Sequence, residues 1–100
     1  MSSATVDIGT LITSTPGVNG GRPCIAGTAT SVQRISILYN HFGMTPGEIH
    51  EQLPHVELAQ IFAALTYYFA NRDAIDARIE EDERESARLA EEDRLSKLAG

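Results

Sequence analysis

The side chains best suited to holding a metal or attacking a substrate are Cys24, His41, His50 and His55. Their spacing is wrong for a metal. His50 and His55 are five residues apart with Pro54 between them, so one helix face cannot carry both, and no CxxC or HxxxH pattern occurs. Scattered polar or half-buried histidines are expected instead. Cys24 follows Pro23 in a short extended stretch, with no lysine beside it and no helix start to lower its pKa, which predicts a small buried side chain rather than a nucleophile. Gly20-Gly21-Arg22 has the glycines of a phosphate loop but no Gly-Lys-Ser/Thr after them. Outside the C-terminal third no carboxylates are paired in a way that suits acid–base catalysis. The sequence therefore predicts no catalytic residue, no metal site, no cofactor and no enzyme.

Charge is divided unevenly along the 100 residues. Residues 1–72 carry three basic side chains (Arg22, Arg34, Arg72) and four acidic ones (Asp7, Glu48, Glu51, Glu57), a sum of −1. Residues 73–100 carry five basic and ten acidic side chains, a sum of −5, and together these make the net −6. Nucleic-acid binding takes most of its affinity from neutralised phosphates, so a nearly neutral body with an acidic tail argues against tight DNA binding by a monomer. A single cysteine rules out an internal disulfide framework and suits a reducing compartment. No run of about 18 apolar residues exists, and Met1 to Ile8 lack the basic and apolar blocks of a secretory signal. A cytoplasmic protein is expected.

The elements that would position these side chains are small. Thr10–Ser14 is β-prone, Thr15–Gly21 is rich in turn residues, and Pro23–Thr28 is a second extended piece in which Gly27 makes a turn or bulge. Strands this short are not stable alone and must lie on helices or pair with a second chain. A first helix is predicted over Ser31–Phe42, with Val32, Ile35, Leu38, Tyr39 and Phe42 on one face and Gly43 as its stop. Ile37 falls nearly opposite that stripe and is a candidate dimer contact. The second helix has the best-written start: Thr45 as N-cap, Pro46 at the first helical position and Glu48 completing a capping box. Met44 and Ile49 stand where a hydrophobic staple closes, Pro54 ends the helix after Leu53, and Ile49 and Leu53 are its expected buried pair. A third helix, Glu57–Ala70, should turn Leu58, Ile61, Phe62, Leu65, Tyr68 and Phe69 inward and Glu57, Gln60, Ala64, Tyr67 and Asn71 outward. Three helices in these proportions, with a tight second turn, predict a mainly α helix-turn-helix module with a short N-terminal β segment.

From Asp73 the chain becomes charged, contains good helix formers, and has no Pro and no Gly before Gly100. The expected organisation is a strand-plus-helix-turn-helix domain over residues 1–72 and a long acidic helix over residues 73–100. That helix has only a thin apolar stripe. It reads either as a solvated helix or as a segment that orders on docking to a partner, with Ile75, Ile79 and Leu89 as the anchors.

The run Gly20-Gly21-Arg22-Pro23-Cys24-Ile25-Ala26-Gly27-Thr28 resembles the signature of domain-of-unknown-function family 433. So do Gly43-Met44-Thr45-Pro46-Gly47-Glu48-Ile49, Leu53-Pro54-His55 and Ile61 to Tyr68, and the likeness covers about residues 8–75. The family resembles homeodomain-like helix-turn-helix proteins and is regarded as antitoxin-like, its members often encoded beside a PIN-like ribonuclease toxin. The resemblance implies a regulator that binds and neutralises such a toxin and represses its own operon through weak DNA binding. The acidic tail would then block the nuclease site sterically. Where the family commonly starts its third helix with Thr or Ser, Glu57 stands here, a poor N-cap that brings negative charge to the end meant to approach DNA. The candidate DNA contacts are Arg34 and Arg72 to the backbone and Gln60, Ala64 and Tyr67 in the groove. The expected partners are the cognate toxin, operator DNA and a second copy of the chain. The alternative is a structural or adaptor dimer that binds no DNA.

Overall fold

In the computed structural model of the chain the described residues are 7–15, 17 and 19–99. Met1 to Val6, most of the stretch in which no leader is expected, and Pro16 and Val18 of the turn-rich stretch fall outside them. Asp7 opens the described chain by capping a 3-10 turn, Ile8–Thr10, its Oδ1 accepting from the Gly9 amide at 2.9 Å. Strand β1 (Ile12–Thr13) then pairs antiparallel with β2 (Cys24–Ile25), Ile12 opposite Ile25 and Thr13 opposite Cys24.

The stretch after β2 closes as a tight turn. The Thr28 amide donates to the Ile25 carbonyl at 3.1 Å, and Gly27, third of the four turn residues, takes φ +76°, a conformation that costs a β-carbon-bearing residue energy. Ile25 N–H then bonds the Thr30 carbonyl, and Val32 N–H bonds that of Pro23. These bonds bring the chain into helix α1 (Val32–Asn40), whose N-cap Ser31 accepts from the Arg34 amide at 3.0 Å. The expected first helix is thus two residues shorter at its C-terminal end. Phe42 lies beyond it, after His41 has closed the last turn, and is 70% exposed rather than part of the inward face. Val32, Ile35 and Leu38 are buried as predicted, Ile37 and Tyr39 are half-buried, and Ser36 is also buried, donating its hydroxyl to the Gln33 carbonyl.

Helix α2 (Pro46–Gln52) starts as read: the Thr45 hydroxyl accepts from the Glu48 amide at 3.2 Å, and a Glu48 carboxylate oxygen accepts from the Thr45 amide at 2.9 Å. Of the expected buried pair, Ile49 is buried and Leu53, the C-cap, is half-buried. The connection to helix α3 (Leu58–Ala70) is anchored by Val56, which is fully buried.

The largest departure from expectation is the rotation of α3. Its buried side chains are Ile61, Ala63, Ala64, Leu65 and Tyr68, while Leu58, Phe62 and Phe69, predicted to point inward, are 45%, 53% and 49% exposed. Ile61, Leu65 and Tyr68 face inward as predicted, and the buried face is turned by roughly 60° from the predicted one. The reason is that its sequence offers two overlapping apolar stripes. The one that contains Ala64 wins because a small residue at the centre of a contact lets neighbouring helices approach closely. The Asn40 side-chain amide donates to the buried Tyr68 hydroxyl at 2.6 Å, so that orientation also satisfies a buried polar group.

Helices α1, α2 and α3 pack on one another, the α1–α3 contact being the most extensive, and both strands pack on α3. The chain is mainly helical: a three-helix module of helix-turn-helix order with a two-stranded antiparallel sheet near its N-terminus, then a long C-terminal helix. It divides into two compact units, residues 1–70 and 71–100. The second unit is helix α4 (Arg72–Ala99), 28 residues without an interruption. None of the described helices is long and apolar enough to cross a membrane.

Candidate interaction surfaces

The histidines and the cysteine have structural settings. His50 Nδ1 lies 2.7 Å from the Val56 carbonyl, and since a carbonyl only accepts, Nδ1 carries the proton and ties α2 to the connection after it. His55 Nε2 is 3.2 Å from the Thr30 hydroxyl, a link between the two loops at either end of α1 and α2, and His41 is exposed. Cys24 is buried as expected and directs its thiol to the Arg22 carbonyl at 3.4 Å. The glycine-rich signature is scaffolding too. Gly20 and Gly21 take φ +66° and +80°, Gly27 turns the chain, and Cys24 and Ile25 fill the core beneath α3.

What the signature positions is Arg22. Among residues 7–70 the only arginines or lysines are Arg22 and Arg34, and both line one open groove of about 690 Å³ beside α1. Its other walls include Ala29, Gln33, Ile37 and the exposed Phe42. Arg22 Nη1 donates to Gln33 Oε1 at 3.5 Å, which holds the guanidinium against the helix. Two cations beside an isoleucine and a phenylalanine suit an acidic segment with an apolar side chain; the sequence shows Arg22 only as part of a phosphate-loop-like run, because nothing there places it next to Arg34.

The five candidate DNA contacts have different settings, four in the first unit and Arg72 in the second. Arg34 stands on the groove, exposed. Gln60 turns its Oε1 back to accept from the Glu57 amide at 2.7 Å, so it completes the start of α3 that Glu57 caps poorly. Ala64 is fully buried and cannot face a groove of DNA; this corrects the expectation, and the cause is the rotation of α3. Tyr67 is half-buried. Arg72 is engaged on α4 itself, its Nε 3.4 Å from Asp76 Oδ2.

Helix α4 spends most of its cations on its own acids. Arg88 bonds Glu85 at 2.6 Å and Glu92 at 2.7 Å, Arg94 reaches Glu91 and Lys97 lies 3.1 Å from Asp93. Glu85 accordingly raises the pKa of Arg88 further above its ordinary range. These pairs are all exposed and three or four residues apart, so each supports the helix only modestly. Of the three expected partner-binding anchors, Ile75 and Ile79 are buried, and Leu89 is 50% exposed. Leu95 and Leu98 are exposed as well, at 52% and 73%.

Residues 12–68 match the family described as Protein of unknown function (DUF433). A DUF433 member protein from Anabaena variabilis, known from its crystal structure, is 31% identical, with a TM-score of 0.63 over 71% of this chain and 69% of that one. The chain belongs to this family. The matched segment lies within the first unit and contains the strands, the groove and all but the last two residues of α3. No curated protein matches the chain.

Proposed function

We propose that the chain is a non-enzymatic binding protein of the antitoxin type, acting in the cytoplasm, whose partner is a PIN-like ribonuclease that it holds and neutralises. The observation that carries this reading is the surface of α4: from Glu83 to Leu98 every side chain is exposed, and Leu89, Leu95 and Leu98 stand among the carboxylates. A long solvated helix with a few large apolar side chains is what a helix-in-groove partner offers, the charges keeping it soluble until it docks. Carboxylates do not attract a carboxylate-rich nuclease site, so the leucines supply the affinity and inhibition is steric. Leu95 and Leu98 are the primary anchors because they sit three residues apart on adjoining positions of the helix, whereas Leu89 points elsewhere.

Operator binding is secondary in this reading. With Ala64 buried and Gln60 engaged, the only cation of the first unit left from the DNA set is Arg34, and few phosphates can be neutralised. DNA affinity should be weak and vanish by about 0.2 M salt.

The test is co-expression with the nuclease encoded beside it, followed by pull-down and an RNA-cleavage assay. The full chain should co-purify and suppress cleavage, and a chain ending at Arg84 should do neither. If the shortened chain still inhibits, the recognition surface lies on residues 7–70 and the Arg22–Arg34 groove is its first candidate. If no nuclease is captured by either, the adaptor-dimer reading replaces this one.

A further inference from the structure

The first unit keeps its cations together. Among residues 7–70 the two arginines, Arg22 and Arg34, are set against four acidic side chains, Asp7, Glu48, Glu51 and Glu57. Both arginines line the groove beside α1, and none of the four acids does. The fold brings Arg22 there. Gly20 and Gly21 turn the chain at positive φ, and the Val32 amide donates to the Pro23 carbonyl at 3.0 Å, which fixes residue 22 beside the first turn of α1. The Arg22 side chain is half-buried and tied to Gln33, so its direction is set before anything binds. Arg34 gives its backbone amide to the Ser31 hydroxyl and leaves its side chain exposed. Toward the C-terminal end of α1 the walls become apolar, with Ile37 half-buried, Leu38 buried and Phe42 exposed.

We propose that this groove docks an acidic segment of a partner protein, one whose carboxylates stand within a few residues of a large apolar side chain. Charge complementarity selects that occupant. A guanidinium takes a carboxylate through two parallel hydrogen bonds, and here two guanidiniums stand where no lining carboxylate competes. Ile37 and Phe42 then receive the apolar side chain, a feature that charge attraction alone would not need. A nucleic-acid strand fits less well. Its evenly repeated phosphates call for a row of cations, and this groove passes from two arginines to apolar walls. A volume of about 690 Å³ is that of a pocket for a few side chains, so a short segment is held rather than the face of a whole domain. The net charge of −6 repels acidic peptides in general, so affinity for one must come from a local concentration of cations. The groove is built from residues 20–42 alone, and the inference does not rest on α4 holding a nuclease.

The experiment is fluorescence anisotropy of a labelled peptide, Glu-Asp-Leu-Phe-Glu-Asp, titrated with the full chain in about 0.1 M salt, with circular dichroism to verify folding. The native chain should bind it with a Kd in the high micromolar range, about tenfold tighter than the same peptide with Gln and Asn in place of its acids. A version with Ala in place of Leu and Phe should lose about fivefold. Arg34→Glu, at an exposed position, should weaken binding of the acidic peptide by about tenfold or more while keeping the helical signal. Arg22→Gln is the second variant if the first fails to fold, and it should show the same loss. Arg78→Glu makes the same charge change at an exposed position of α4 and should leave binding nearly unchanged. A native chain that does not bind the acidic peptide overturns the proposal, as does equal binding of its Gln/Asn version. Binding that survives both groove substitutions, or falls as far with Arg78→Glu, overturns it too. An oligouridylate of the same length that binds more tightly than the peptide overturns it in favour of a nucleic-acid strand.

Discussion

Residues 32–70 and residues 72–99 are both helical, but they are helical for different reasons. In α1, α2 and α3 the helices are short, nine, seven and thirteen residues, lengths at which an isolated helix is marginal in water. They persist because Ile25, Ile35, Ile49, Val56, Ile61 and Tyr68 are buried together and because the ends are capped by Ser31 and Thr45. Helix α4 is twice as long as any of them. Its order comes from good helix formers and from ion pairs along its own surface. One region is specified by what it packs against; the other is specified from Glu83 onward by its own composition, although Ile75 and Ile79 near its start are buried. Surface changes should therefore be nearly silent in the second, and core changes severe in the first.

The largest effect should come from Ile61→Ala, which leaves a cavity at a fully buried site and should cost about 2–5 kcal/mol, read by urea denaturation. The same measurement on Leu95→Ala in α4 should show less than about 0.5 kcal/mol, since that leucine is half in water already. Comparable losses at the two sites would break the comparison. Deleting residues 85–100 should come next, as a drop in helical circular dichroism proportional to the residues removed, with the melting temperature of what remains nearly unchanged. A fall of more than about 5 °C would mean that α4 contributes to the stability of the rest.

Thr45→Ala should destabilise by about 1 kcal/mol, the usual cost of an N-cap, and a smaller loss on Thr45→Ser would show that the hydroxyl is what matters. The smallest effect is that of pH on the same box. Hydrogen bonds from the Thr45 backbone and side chain hold Glu48 below its ordinary pKa of 4.5. A carboxylate whose pKa is lowered on folding stabilises the protein above its unfolded value, and that contribution disappears as pH falls through the folded value. A slight extra loss of stability below pH 4.5 is expected, and Glu48→Gln, which keeps a capping acceptor without a titrating proton, should remove it. An unchanged pH profile in that variant would assign the acid sensitivity to other carboxylates.

Much of this architecture was legible in the chain itself, because caps, breakers and composition act locally. Thr45-Pro46-Gly47-Glu48 determines where α2 begins, Gly27 and Gly43 mark turns that need positive φ, and a stretch from Arg72 with neither Gly nor Pro makes a long helix whatever surrounds it. The glycine-rich signature was equally readable, and so was the buried role of Cys24. Those features depend on neighbours within four residues. The rotation of α3 does not. Leu58-Ala59-Gln60-Ile61-Phe62-Ala63-Ala64-Leu65 carries two apolar stripes of similar strength, and periodicity has no means of ranking them. The choice fell to contacts distant in sequence: the close approach that Ala64 permits, and the bond from Asn40 to Tyr68 across 28 residues. That one rotation buried Ala64, left Phe62 and Phe69 half in water, and so moved the candidate interfaces. The pairing of Arg22 with Arg34 on one groove likewise exists only once the strands have turned the chain back onto α1. Local chemistry determined which segments are helices and where they stop; which face each helix hides was decided by tertiary packing, because burial is a property of the assembled core.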